Sequence, residues 1–166
     1  GDRFGFGSVI CRAPADALAR WSCHGDARKF DSPLMFSEGG EVYLVARRNQ
    51  TEDGAYDRAL SSSVFSAANW LRSVKNQLDY IVTAKRCSLF RYVPGEGRFA
   101  FVLDLPSKGD TCFPSVLRIE TPGELVLYNY RSDIDGPDVA WSVGQRRPTY
   151  IYRHRLRITS SAASER

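Results

Sequence analysis

Two stretches decide how this chain reads: FDSPLMFSEGGEVYLVARR, Phe30 to Arg48, and CFPSVLRIETPGELVLYNYR, Cys112 to Arg131. Each carries a proline, a short apolar run, a Gly-Glu pair, a second apolar run and a terminal arginine. Aligned on the Gly-Glu pairs, Gly40-Glu41 falls on Gly123-Glu124, Val42–Ala46 on Leu125–Asn129 and Arg48 on Arg131, while Pro33 and Pro114 match within a short gap. An apolar run, a glycine turn and a second apolar run make the pattern of a β-hairpin. The first run lacks polar alternation, as expected of a strand covered on both faces.

The segments C-terminal to the two hairpins are also similar. After the first come RCSLFRYV, the turn PGEG and RFAFVLDLP; after the second comes TYIYRHRLRI. There Tyr150, Tyr152 and His154 alternate with Ile151, Arg153 and Arg155, the period of a strand. The unit is therefore four antiparallel strands, after which the hairpin begins again. Upstream, GSVICRAP and LARWSCHG supply the tail of an earlier unit. A single sheet cannot bury both of its faces, and stacked repeats solve this by covering one another.

Tandem four-stranded antiparallel units predict an all-β fold and a partial β-propeller, the C-terminal blades of a larger five- or six-bladed ring. One full blade is expected over about 31–105, with partial blades on each side. The competing architecture is a self-contained β-sandwich of about eight strands. One segment breaks the pattern, a helical insertion over about 49–80. Val64, Ala68, Leu71, Val74 and Leu78 fall at helical spacing there, with Ser63 as a candidate cap. Residues 159–166 read as a polar tail.

Composition narrows the classes. The chain has 166 residues and a net charge of +4. The excess is diffuse apart from RRPTYIYRHRLR, which argues against nucleic acid as a partner. No apolar run is long enough for a membrane span. None of Cys11, Cys23, Cys87 and Cys112 forms a CxxC pair, and His24 and His154 lie far apart, so no metal is expected. Cofactor motifs are also missing: GFGSV near the start is too poor in glycine for a dinucleotide fingerprint. Cys11 and Cys23 flank a loop that suits a disulfide, but buried free thiols are an equal reading. Asn49-Gln50-Thr51 fits a glycosylation sequon, which bears on the chain only in the secretory pathway.

The stretches DSPLMF…GGEVYLVARR, KRCSLFRY, LDLPSKGDTCFPSVL, GELVLYNYRSD and YIYRHRLR resemble the blades of sialidase-like β-propellers. They are similar too to five-bladed propeller glycosidases of the arabinanase and invertase type. The resemblance covers about 26–157. It implies carbohydrate as the partner, glycosidic-bond hydrolysis as the activity, and further N-terminal blades of the same protein completing the ring. SDIDGPDVAW, Ser132 to Trp141, departs from the family's Asp box in its spacing. The family's arginine triad and nucleophilic tyrosine draw on blades around the whole ring, beyond those read here.

Antiparallel pairing brings the start of a first strand beside the end of the second. It predicts that Asp31, Asp110, Arg47, Arg48, Arg131, Lys85 and Arg86 gather at one end of the sheets, with the Gly-Glu turns at the other. Glycoside hydrolysis needs two carboxyl groups flanking the scissile bond, which makes Asp31 and Asp110 the candidate acid and base. Arg47, Arg48 and Arg131 are candidates to hold substrate through two-pronged hydrogen bonds. Tyr128 and Tyr130 are available as hydroxyls, and Trp21, Trp70 and Trp141 as platforms for a sugar ring. The bland alternatives are turn-capping aspartates, solvated or ion-paired arginines and aromatics that only pack.

Overall fold

A computed structural model describes residues 7–26, 28–50 and 67–159, without the side chains of 67–69, 72 and 73. The fold is mostly β, in three antiparallel sheets. Strands β1 (Ser8–Arg12) and β2 (Ser22–Asp26) form the first. The second contains β3 (Asp31–Glu38), β4 (Glu41–Asn49), β5 (Lys85–Val93) and β6 (Arg98–Leu105), side by side in chain order. The third contains β7 (Ser115–Arg118), β8 (Glu124–Arg131) and β9 (Tyr150–Arg157), again in chain order. Among the described residues the sheets do not close on one another into a ring.

The two aligned stretches are both hairpins. Gly39 and Gly40 turn β3 into β4 with φ of 58° and 79°, and Gly123 (φ 76°) precedes β8. These left-handed conformations are open to glycine and strained for most other residues. Ser37 pairs with Val42 in the first hairpin and Arg118 with Leu125 in the second. A bulge between Asp31 and Leu34 interrupts β3, where Ser32 takes φ 48° and Pro33 cannot donate to the ladder.

The middle sheet is covered on both faces at β4, whereas β3, expected to be covered on both, alternates in exposure, with Met35 64% exposed, because it is the edge strand of the sheet. On one side Tyr43, Val45, Cys87, Leu89 and Leu105 meet Cys112 and Leu127, with Phe36, Val116, Leu156 and Ile158 around them. On the other, Phe30, Leu44, Ala46, Phe90 and Phe99 form a second cluster with Ile10 and Tyr92. The Phe30 and Phe90 rings meet edge to face at 5.0 Å. Each fully buried Leu, Val or Phe contributes roughly 1.5–3 kcal/mol. These clusters hold three sheets in a stack, and the stacking fixes which strand ends lie together.

All four cysteines are paired, so the free-thiol alternative does not hold. Cys11–Cys23 ties directly opposed residues of β1 and β2, and Cys87–Cys112 joins β5 to the segment before β7. Helix α1 (Ala67–Val82) lies between β4 and β5 in the chain, and a short helix α2 (Trp141–Gly144) precedes β9. No helix among the described residues is long and apolar enough to cross a membrane. The expected cap Ser63, Val64, Thr51 of the sequon and most of the polar tail lie outside the described residues. Asn49 itself is buried, and its side-chain oxygen accepts a hydrogen bond from Lys85, an environment closed to a glycan.

Candidate functional site

The register places the site. Asp31 at the start of β3 pairs with Arg47 near the end of β4. In the third sheet Asp110 and Thr111 run beside the end of β8: Ser132 donates its N–H to the Asp110 carbonyl at 3.0 Å, and Thr111 bridges to Arg131. Stacking then brings the two ends into contact through one side chain. Arg47 donates from Nε to the Tyr80 hydroxyl at 2.9 Å, from Nη2 to Asp31 Oδ2 at 3.3 Å and from Nη1 to the Thr111 carbonyl at 3.2 Å. The same Nη1 lies 3.6 Å from Asp110 Oδ1. One buried guanidinium therefore faces both aspartates.

Each carboxylate has further partners. The Tyr80 hydroxyl donates to Asp31, and the Lys29 ammonium lies 4.0 Å from Asp31 Oδ1. Asp110 Oδ1 accepts from the Trp141 indole at 2.8 Å and from the Tyr130 hydroxyl at 3.2 Å. The Trp141 ring lies under the Arg47 guanidinium at 5.1 Å and meets Tyr80 edge to face. Such a cation over an indole is favourable, more so when both are shielded from water. Gly144 of α2 lies against the Gly109–Asp110 backbone: a Cβ there would come within 2.2 Å of the Asp110 nitrogen. Helix α2 is thus a template for the position of Asp110.

Below this layer lies Lys85, which is fully buried. Its ammonium donates to the Asn49 side-chain oxygen and the Tyr80 carbonyl and lies 3.8 Å from the Tyr80 ring centre. Burial, reinforced by the nearby Arg47 charge, lowers its pKa to about 7. Burial works against the Arg47 charge as well, but Tyr80 and Asp31 outweigh it, so the guanidinium titrates above its ordinary range. The Tyr80 phenol is held well above its ordinary range, first by burial and then, against the opposing pull of Arg47, by its bond to Asp31.

The other arginines named from sequence lie elsewhere. Arg48, one residue on, extends to the opposite face of the sheet, as a strand requires. It donates to Ser88 at 3.1 Å and to Asp104 at 3.0 Å and covers the Phe101 ring. Arg131, its counterpart in the second hairpin, donates to the Pro106 carbonyl and stacks 3.4 Å from the Tyr152 ring centre. Arg86 pairs with Asp138. Of the five residues proposed as acid, base or substrate ligands, the structure brings Asp31, Asp110 and Arg47 together and leaves Arg48 and Arg131 apart from them. Trp21 and Trp70 are exposed, and Tyr128 is part-exposed on the outer face of the third sheet. Tyr80, Lys29 and the Thr111 carbonyl are site groups that the repeat did not reveal.

Arg47 is flanked by two carboxylates no further apart than a guanidinium and its two contacts. No group of three His, Cys, Asp or Glu able to hold a metal occurs among the described residues. No family model matches this chain, and neither a curated protein nor a solved structure does so.

Proposed function

We propose that the chain forms blades of a sialidase-like or related glycosidase-type β-propeller, and that the Asp31–Arg47–Asp110 end of the sheets receives a carbohydrate. The observation that carries this reading is the meeting of Asp31 and Asp110, from successive hairpins, on one buried arginine. In the catalytic form one aspartate protonates the leaving oxygen and the other serves as base or nucleophile, while Arg47 fixes the substrate between them. Tyr80 and Tyr130 supply hydroxyls and Trp141 an apolar ring face, a combination suited to a polyhydroxylated ligand.

A second reading is favoured by the position of Arg47. It fills the space between the carboxylates and bonds to partners on both sides, leaving that interval occupied. This is the arrangement of a non-catalytic platform that binds glycan or protein through the exposed rim. A panel of aryl glycosides together with glycan-binding measurements separates the two. Loss of turnover with retained glycan binding in Asp31→Asn and Asp110→Asn supports hydrolysis. Glycan binding without turnover in the unmodified protein supports the platform. A protein that binds no carbohydrate and cleaves none overturns the hydrolase and the glycan-binding platform, and leaves only a platform for protein.

A further inference from the structure

Strand β9 carries its charge at a fixed period. Arg153, Arg155 and Arg157 are exposed and follow Ile151, which is 79% exposed, while Tyr152, His154 and Leu156 between them are half-buried. Leu156 packs on the core between the middle and third sheets, so the arginines stand on the outer face of the third sheet. Their direct neighbours on β8 are Tyr128, Val126 and Glu124. Glu124 answers two of them, at 3.8 Å from Arg155 and 3.9 Å from Arg157. Arg153, opposite Tyr128, has no acidic partner among the described residues.

The backbone of the same residues is turned to an open edge. Ile158 donates its N–H to the Gly123 carbonyl at 2.8 Å, and the register continues that pair through Leu125–Leu156 and Leu127–His154. In an antiparallel ladder hydrogen-bonded pairs alternate with non-bonded ones. The even-numbered residues of β9 therefore bond to β8, and the N–H and C=O groups of Arg153, Arg155 and Arg157 point away from it. The far side of β8 agrees: Tyr130, opposite Ile151, gives its carbonyl to the Cys112 N–H. Among the described residues no strand lies on the outer side of β9. In the middle sheet β5 holds the same place, and its second edge is paired with β6 from Cys87–Leu105 to Val93–Arg98.

We propose that the β9 edge takes up an extended acidic segment of a partner protein as a fourth, antiparallel strand. Asp or Glu of that segment lies opposite Arg153, Arg155 and Arg157, and an apolar residue lies opposite Ile151. In strand addition the main chain supplies affinity and alternate side chains supply choice. Both fall here on the same residues, whose backbone groups face the edge and whose guanidinium groups share one face. The acids must be two residues apart, about 6.8 Å along an extended chain. A polyanion without paired N–H and C=O groups meets the charge but not the backbone. A second copy of β9 meets the backbone but not the charge, because it sets arginine against arginine, and like charges directly opposite destabilise. The inference rests on the register of β8 and β9 and is independent of any carbohydrate at the Arg47 site.

Fluorescence anisotropy of labelled, end-blocked peptides titrated with the 166-residue chain tests it. The peptide Glu-Thr-Glu-Thr-Glu-Thr-Val fits the edge, whereas Glu-Glu-Glu-Thr-Thr-Thr-Val has the same composition and charge at the wrong period. The first is expected to bind about tenfold more tightly or better. Methylating the amide nitrogens of its glutamates should abolish that advantage, since those N–H groups face the arginine carbonyls. Arg153→Glu combined with Arg155→Glu should weaken binding by a similar factor, and Glu-Thr-Lys-Thr-Lys-Thr-Val should recover it on that variant. Arg153→Gln with Arg155→Gln gives the same loss should circular dichroism show that the glutamates disturb the fold. Equal binding of the two acidic peptides, or indifference to methylation, overturns the inference and marks a general polyanion surface, of the kind a nucleic acid or sulfated glycan would use. Absence of binding at millimolar peptide, or failure of the lysine peptide to recover it, overturns it as well. Glycan binding is scored separately, so either reading can fail without the other.

Discussion

The guanidinium of Arg47 lies 3.6 Å from a carboxylate oxygen of Asp110, although the two belong to different sheets and successive hairpins. Arg47 is thereby a bond between sheets as well as a site residue. Replacing it by Ala removes the cation that Asp31 and Asp110 share and leaves Lys29 beside Asp31. The expected loss is about 3 kcal/mol, at the low end for a broken buried pair because Asp31 keeps partial access to water. Urea unfolding of Arg47→Ala against the parent measures it, and the same variant is expected to lose any glycan binding. Arg47→Lys recovers charge but not the fork that reaches four partners, so it should regain only part of the stability.

Gly144 sits too close to Asp110 to carry a side chain. Gly144→Ala must push α2 or the Gly109–Asp110 backbone away, at an expected stability loss of about 1–3 kcal/mol. Displacing Asp110 also weakens its bond from the Trp141 indole. The indole emission of Trp141 is the specific readout, compared with a Trp141→Phe background. A variant with unchanged stability and unchanged emission would contradict the template role of α2.

Lys85 links stability to pH. Its pKa in the fold is about 7, below its ordinary value of 10.5. Between these values the unfolded chain holds a proton that the folded chain has released, so stability rises with pH across that window. Below pH 7 both states are protonated, and this contribution is flat at its least favourable level. The slope approaches roughly 1.4 kcal/mol per pH unit for one proton. Chemical unfolding from pH 7 to pH 9.5 should show the rise, and Lys85→Met should flatten it. Above pH 10 Tyr43, whose phenol is raised to about 12 by burial and by its bond to Glu41, acts in the opposite sense.

The two disulfides differ in access. Cys11 and Cys23 are exposed on β1 and β2, whereas Cys87 and Cys112 have no exposed surface. Dilute reductant under native conditions should therefore open Cys11–Cys23 first and leave Cys87–Cys112 closed until the sheets separate. Timed alkylation followed by mass spectrometry reads the order. Replacing Cys87 and Cys112 by Ser removes the closure of a 25-residue loop, worth about 3–4 kcal/mol on the chain-entropy account. It also frees the segment that carries Asp110 and Thr111 to Arg47.

Much of this is readable in the order of residues. The hairpins announce themselves twice through their Gly-Glu turns, and antiparallel pairing alone places Asp31 beside Arg47. The same rule of alternation separates Arg47 from Arg48, since neighbours on a strand cannot serve one face. Arg131 aligns with Arg48, and its guanidinium too bonds elsewhere, to the Pro106 carbonyl. Tyr80 is not readable: it reaches the site from a helix whose evenly spaced Leu71, Val74 and Leu78 are exposed, so its burial depends on where α1 lands and not on its periodicity. Nor does spacing show that Lys85 would be buried, because lysine is ordinarily a surface residue.

Between β4 and β5 the chain departs and returns at one point. Asn49 pairs directly with Lys85, and the Gln50 N–H donates to the Ala84 carbonyl at 3.0 Å. That neck fastens the sheet independently of whatever the excursion contains. Sheet and excursion can therefore change on separate evolutionary clocks, with the strands conserving a frame while the inserted segment remodels the rim. Tyr80 is the exception, close enough to the neck to be answerable to both.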